Sequence, residues 1–295
     1  MTEPTTVVAS KPISMAQQVN AAQAPQAKLP AGLESRSTDN ILSPWARICL
    51  YGELDSWKTV TAAHFGSPED VRIIFTRGED QLRGLTGENY KYVTADNSVR
   101  FRAACLYPER IWPDWAMRPN RIVITDDLTR GSEFLIDDNE TDKEGREIRD
   151  NRMVHKGAKD DMVSLMDSLR MKPLHLIMVA QARIWTNNIS REETISPDLP
   201  PAMMKSLMND TSFILFLDKA KRQMLTRQRV EIYTAKNDKG KEESFKRSIM
   251  ARHKIPKALE GGDGKPGLLS EYEKIDLAAF WSKIQEAASK LKAAG

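Results

Sequence analysis

The chain has 295 residues, 40% of them hydrophobic and 29% charged, which allows one large or two modest domains with a sizeable core. Its formal charge of +3 is close to balance and selects no class of partner, and with no run of roughly eighteen apolar residues a membrane span is not expected. The N-terminus lacks the basic and apolar regions of a secretory signal, and Cys49 and Cys105 are the only cysteines, which points to reduced thiols in a cytoplasmic protein rather than to a disulfide framework.

Residues 1–44 are rich in Thr, Ala, Gln, Ser and Pro and carry no aromatic side chain. Such a segment cannot bury enough apolar area to offset the entropy of ordering it. A disordered tail is therefore predicted, with a short helix over 14–24 that Pro25 would end. Trp45 to Tyr51 then reads as a buried strand, and Thr59 to Phe65 as a helix stopped by Gly66 and Pro68. Between them run Gly52, four residues, Trp57, Lys58 and Thr59, the phosphate-binding pattern G-x-x-x-x-G-K-[ST] with tryptophan in place of its second glycine.

The pattern has a physical basis. A helix N-terminus presents unpaired amides and a positive dipole end to phosphate oxygens. Lys58 would supply a point charge to the β- and γ-phosphates of ATP, and the Thr59 hydroxyl a ligand for Mg²⁺. Gly52, Ser56, Trp57, Lys58 and Thr59 are thus the candidate cofactor-binding residues. Glycines let such a loop close on a nucleotide, whereas Trp57 brings a large ring where phosphate approaches and Asp55 places an anion inside the loop. In the plainer alternative, Lys58 and Thr59 only begin an ordinary helix. The flanking strand and helix, and a second motif downstream, favour the phosphate loop.

His64 is expected to be packed or half-exposed, because no carboxylate or cysteine lies at ligand spacing. Val71 to Thr76 reads as a second buried strand. A helix or turn is predicted around 80–85, a strand around 90–94 and a helix around 98–106. Trp112 and Trp115 fall in a Pro-flanked loop, where an aromatic pair either stacks a base or packs on the core, the latter being the preferred reading. Arg121 to Asp127 is the second informative stretch: a β-branched strand that ends in two acids, the pattern that holds Mg²⁺ in phosphate-loop NTPases. Asp126 would ligate the metal and Asp127 orient the attacking water. Alternatively, one of the two caps a following helix.

The charged stretch 137–152 reads as a solvated loop or helix end. A helix from Lys159 to Pro173 carries the core stripe Met162, Leu165, Met166 and Leu169. Leu174 to Ala182 is another buried strand, with Gln181 near its end, either as a γ-phosphate sensor or as a surface turn residue. Residues 183–199 have loop character, residues 201–208 suggest a short helix, and residues 212–217 the last strongly buried strand. Strands over 229–233 and 244–250 flank Asn237 to Gly240, a hairpin signal. Across residues 219–257 thirteen Lys or Arg face four acids, a local excess of +9. That excess is either a surface for nucleic-acid phosphates or a merely solvated basic face. Gly261 to Gly267 is a flexible break, and Leu277, Trp281, Ile284, Ala288 and Leu291 then mark an amphipathic helix with Asp276 as its N-cap.

With these motifs in order, residues 45 to about 257 resemble the RecA-like phosphate-loop ATPases of bacteriophages, in particular the small ATP-binding proteins linked to phage DNA recombination and single-strand annealing. The resemblance rests on Ile48 to Gly52, Lys58-Thr59, Ile122 to Asp127, Gln181 and the basic hairpin. It implies an α/β fold, a mostly parallel twisted sheet flanked by helices, here with a C-terminal β-hairpin and a terminal helix. It also implies ATP and Mg²⁺ as ligands, homo-oligomers on DNA, residence in the host cytoplasm, and a basic residue donated in trans to the γ-phosphate. Arg252 and Lys254, just after the last predicted strand, are the candidates for that residue. The expected organisation is a tail over 1–44, a nucleotide-binding core over 45–257, and a linker with a helix over 258–295. The chain departs from the family at Trp57 and near Asp55, which bears on hydrolysis and not on the fold. Two functions are in view: an ATP-dependent DNA-processing protein, or a catalytically impaired relative that binds DNA or a protein. The four histidines and two cysteines show no ligand or triad spacing, so a non-nucleotide enzyme has no support.

Overall fold

A computed structural model describes residues 43–142, 144–187, 190–236, 242–255, 257–260 and 267–294. The predicted tail with its short helix, the hairpin tip at 237–240 and most of the break at 261–267 lie outside the described residues. The strands are β1 (Arg47–Gly52), β2 (Val71–Phe75), β3 (Lys91–Thr94), β4 (Ile122–Asp126), β5 (His175–Thr186), β6 (Glu193–Pro197), β7 (Phe213–Asp218), β8 (Gln223–Leu225), β9 (Arg229–Lys236), β10 (Glu242–Ile249), β11 (Arg252–His253) and β12 (Tyr272–Lys274). The helices are α1 (Lys58–Ala63), α2 (Ser98–Leu106), the single turns α3 (Pro108–Ile111) and α4 (Pro113–Ala116), α5 (Leu128–Asp138), α6 (Asn151–Arg170), α7 (Pro201–Asp210), α8 (Lys257–Glu260) and α9 (Leu277–Ala294), with a 3₁₀ segment at Glu79–Leu85.

The fold is α/β. Strands β7, β1, β5, β4, β2 and β3 lie side by side in that order and are mutually parallel. β8 and β12 extend the β7 edge in antiparallel fashion. β1 is central and buried along its whole length, as a strand covered by helices on both faces must be. Its alternation divides the core. Cys49 and Tyr51 face an apolar layer that includes Phe101 of α2, Leu135 of α5, Met162 and Leu169 of α6, and Leu207 of α7. Ile48 and Leu50 face the opposite layer, with Ala62 and Ala63 of α1 and Phe280 and Ile284 of α9. Helix starts follow capping chemistry: Asn97 accepts from the Arg100 amide at 2.9 Å, Asp150 from that of Arg152 at 2.9 Å, and Asp276 from that of Ala279 at 2.8 Å. The predicted stripe of α9 packs on the chain's own core at Leu277, Trp281, Ile284 and Ala288.

Three expectations need correction. The stretch 183–199 is not a loop: β5 continues to Thr186, and β6 returns antiparallel to it with Ile184 opposite Ile195. Its β-branched and aromatic residues favour a pleated surface, and partners from β10 complete the ladder. Helix α6 begins at Asn151, eight residues before Lys159, because the Asp150 cap sets its start. The stretch is two short turns rather than an open loop: Trp115 sits on the turn α4, and Trp112 is the connecting residue between α3 and α4. Both are buried, with ring centroids 6.1 Å apart, and Trp115 Nε1 donates to the Asp70 carbonyl at 2.5 Å.

Candidate functional site

The C-terminal ends of β1, β4 and β2 converge at one edge of the sheet, beside the middle of β5. In open α/β sheets ligands bind at that edge. β1 ends at Gly52, level with Gln181 of β5 on one side and Leu217 of β7 on the other. An added Cβ at Gly52 would stand 2.6 Å from Ser56 Oγ and 3.0 Å from the Leu217 carbonyl oxygen, so the position admits only glycine without displacement. The loop then turns back through Asp55 and Trp57, both left-handed, with φ of 58° and 65°. Trp57 therefore holds the backbone conformation that the motif's missing glycine adopts readily. Its indole does not fill the loop: it is 69% exposed.

Lys58 opens α1 and is buried. Its Nζ donates to the carbonyls of Gly52 at 3.1 Å and Glu53 at 2.6 Å, and to Ser56 Oγ at 3.3 Å. Burial lowers its pKa, and the carboxylates of Asp127 and Asp126 oppose that shift. Among the described residues Lys58 makes no direct ion pair with either acid. The ammonium is thus parked on the loop's own oxygens, in the field of two carboxylates.

The two acids differ. Asp126 is buried, and the Thr59 hydroxyl lies close enough to its carboxylate to pull its pKa down. Its Oδ2 has no hydrogen-bond partner among the described residues. Burial first, and then Asp127, push its pKa up to about 6, against the pull of the Thr59 hydroxyl. Asp127 is fully engaged. Oδ1 accepts from the Thr129 amide at 2.8 Å and caps α5, while Oδ2 accepts from Gln181 Nε2 at 2.9 Å and pairs with Arg77 at 2.9 Å. Thr76 braces its backbone, donating to the Asp127 carbonyl at 2.9 Å and accepting from its amide at 2.8 Å. The helix-cap alternative therefore describes Asp127, whatever further role it has. The peptide bond joining the two acids is cis.

Ser56, Trp57, Lys58, Thr59, Asp126 and Gln181 thus line one cleft, with Gly52 tied to it through Lys58 and Asp127 through Gln181. Its volume is about 400 Å³, and residues 54–60, Asp126 and Gln181 line it. A hydroxyl beside a buried carboxylate with an orphaned oxygen is a hard-oxygen donor set suited to Mg²⁺, with Thr59 and Asp126 as the residues that would hold it. The ammonium of Lys58 at the cleft's base suits phosphate oxygens. Arg252 and Lys254 are not brought to this cleft within the chain. β11 runs antiparallel to β7 with Arg252 opposite Ile214, towards the start of β7 and away from Leu217, and Lys254 Nζ donates to the Asn209 carbonyl at 2.5 Å.

Sequence reasoning missed Arg77 and Thr76. Both follow β2, whose pairing with β4 sets Phe75 opposite Asp126. A polar pair directly after a buried run was the available signal. The basic segment also changes aspect in three dimensions. Arg229 pairs with Glu271 at 2.6 Å, Lys246 with Glu192 at 3.0 Å and Arg247 with Glu193 at 2.6 Å, all acids from outside the segment. Cys49 and Cys105 are free thiols, both buried, and His64 is exposed beside Glu88 at 2.8 Å. Among the described residues no helix is long and apolar enough to cross a membrane.

No protein-family model matches the chain, and no curated protein matches it in sequence. Solved structures are similar to part of the chain. One is a prototypical ATPase from the type III secretion system of pathogenic bacteria, with 13% identity and a TM-score of 0.40 over 59% of this chain and 51% of that one. Another is an ATP synthase subunit from Nanoarcheaum equitans, with 12% identity and a TM-score of 0.41 over 60% of this chain and 46% of that one. The chain spans about half the length of these structures.

Proposed function

We propose that the chain is a nucleotide-binding protein of the RecA-like phosphate-loop type, which takes ATP with Mg²⁺ in the cleft at the end of β1. One observation carries the reading: the Lys58 ammonium is buried inside a Gly52–Thr59 turn at the end of the central strand, with the Thr59 hydroxyl beside the Asp126 carboxylate. In this reading Lys58 exchanges its loop carbonyls for β- and γ-phosphate oxygens, and Thr59 and Asp126 hold the metal. Asp127 and Gln181 form a braced pair at the far wall, where Gln181 faces the γ-phosphate. Bound magnesium supplies charge neutralisation at the phosphates.

Calorimetric titration of Mg²⁺-ATP tests this, with turnover measured in parallel. The expected result is binding by the parent chain that Lys58→Ala abolishes without loss of fold; binding untouched by Lys58→Ala would sink the proposal. A second reading, an impaired phosphate-loop scaffold, is favoured by Asp55 and Trp57, two bulky left-handed residues where small ones suit the loop. It expects binding without turnover, and a gain in affinity on Trp57→Gly.

The finer proposal is action on DNA, as an oligomer, in phage recombination, replication or single-strand annealing. The resemblance and the basic segment 219–257 support it. Ion pairs of Arg229, Lys246 and Arg247 with acids from outside the segment reduce its effective excess of charge, and in this reading Arg252 or Lys254 serves a neighbouring subunit. The measurement is DNA affinity against salt, for which each phosphate contact contributes a slope of about 0.7 to 0.9; a flat response removes the DNA reading.

A further inference from the structure

A second, larger cavity adjoins the cleft at the loop. Its volume is about 990 Å³, and the two share Ser56, Trp57 and Val60. Three elements wall it: the loop and α1 through Trp57, Val60 and His64, the turn after β7 through Lys219 and Arg222, and the entry to α9 through Ile275 to Ala278. The smaller cleft has the charge and hydroxyl groups that phosphates and a metal require, but a nucleotide is longer than its phosphates. The remainder must leave the cleft, and the adjoining cavity opens from three of its own lining residues. At that junction the left-handed backbone of Trp57 holds the indole 69% exposed, away from the interior of the loop.

We propose that this cavity holds the base and sugar of a nucleotide whose phosphates occupy the smaller cleft, with the Trp57 indole as the stacking face. The inference rests on the phosphate reading given above. An aromatic face attracts a base through its π surface and its apolar area. Val60, Ile275 and Leu277 add an apolar lining, while Lys219 and Arg222 supply cations at the rim. A purine covers more of an indole than a pyrimidine does, so the pocket favours purines. The residue that breaks the phosphate-loop pattern thereby becomes the one that reads the base.

The test titrates ATP, CTP and inorganic tripolyphosphate, each with Mg²⁺, into the full chain and into Trp57→Gly, Trp57→Phe and Ala278→Arg, and compares the ratio of affinities within each protein. The parent should bind ATP roughly 5- to 150-fold more tightly than tripolyphosphate, the range of one base stacked on one ring, with CTP in between. Trp57→Gly should bring that ratio close to one, Trp57→Phe should keep most of it, and Ala278→Arg, which crowds the cavity from another wall, should lose it. An ATP advantage that survives both Trp57→Gly and Ala278→Arg overturns the base pocket and leaves the phosphate loop standing. A parent that binds neither ATP nor tripolyphosphate overturns the phosphate reading itself, and the pocket with it.

Discussion

Gln181 Nε2 donates to Asp127 Oδ2 at 2.9 Å, joining the middle of β5 to the residue that follows β4. The same oxygen receives Arg77, and the Gln181 amide donates to Thr129 Oγ1 at 3.1 Å. Three elements are tied at the edge of the sheet by one buried carboxylate. Removing one partner of a charged, buried acceptor leaves desolvation uncompensated. Gln181→Ala is therefore expected to cost about 1–2 kcal/mol, and Gln181→Glu more, since it sets carboxylate against carboxylate. Urea midpoints for both variants check this. Equal midpoints for Gln181→Glu and Gln181→Ala would show that the two side chains do not interact in solution.

Gly52 allows a sharper test. A Cβ there meets Ser56 Oγ at 2.6 Å and the Leu217 carbonyl oxygen at 3.0 Å, and the second of these belongs to a central strand that cannot retreat. Overpacking of this kind costs about 1–3 kcal/mol. Gly52→Ala should lower the melting temperature, and it should also weaken Mg²⁺-ATP binding, because the displaced Ser56 is a partner of Lys58. The companion Ser56→Gly, combined with Gly52→Ala, should recover part of the stability. No recovery would place the clash at Leu217 alone.

The central strands and the loop were legible in the sequence because buried parallel strands read as continuous apolar runs, and Gly52, Lys58-Thr59 and Asp126-Asp127 stand at the ends of two of them. Ser98 to Leu106 could be placed only loosely, because its apolar residues form no one-sided stripe, and the Asn97 cap that fixes its start was not read. What escaped depends on distant partners. β6 and the far half of β5 are short, partly exposed strands whose pairing emerges only when β10 arrives from some fifty residues away, as in the register Arg247 opposite Glu193. The same pairing neutralises cations that a count within 219–257 leaves unmatched. Arg77 escaped for a related reason: its role is set by Asp127, and the polar pair that follows β2 does not name that partner.

Acid should act on the fold through two groups of opposite sign. His175 lies among Trp45, Phe65 and Trp281, with ring centroids at 5.3, 5.2 and 6.1 Å, and its Nδ1 accepts from the Ala46 amide at 3.0 Å. Burial, and then Arg47, hold its pKa down to about 4 from 6.5. Between those values the unfolded chain binds the extra proton, so this group withdraws stability as pH falls from 6.5 towards 4. Asp126, raised to about 6 from 3.8, does the reverse: the folded chain holds the proton, and stability rises as pH falls through 6. With part of the His175 effect screened by solvent, each amounts to about 1–2 kcal/mol. The parent should therefore change little between pH 6 and 4.5, Asp126→Asn should lose stability steeply there, and His175→Gln should gain. Urea midpoints at pH 7, 6, 5 and 4.5 decide; parallel curves for all three proteins would refute both assignments.

The loop's backbone makes a prediction that separates strain from function. Asp55 and Trp57 lie at φ of 58° and 65°, where an L side chain costs roughly 1 kcal/mol and glycine costs little. Glycine also loosens the unfolded chain, which takes back part of the gain. Because Trp57 is mostly exposed, its removal sacrifices little packing. Trp57→Gly should therefore be neutral or stabilising by up to about 1 kcal/mol, and the pair with Asp55→Gly at least as stable as the parent. Both would also restore the small residues that suit a phosphate loop. If the double variant is instead less stable than the parent by about 1 kcal/mol or more, the indole and the Asp55 carboxylate make contacts that outweigh their strain, and the two residues hold the loop open rather than merely tolerate its shape.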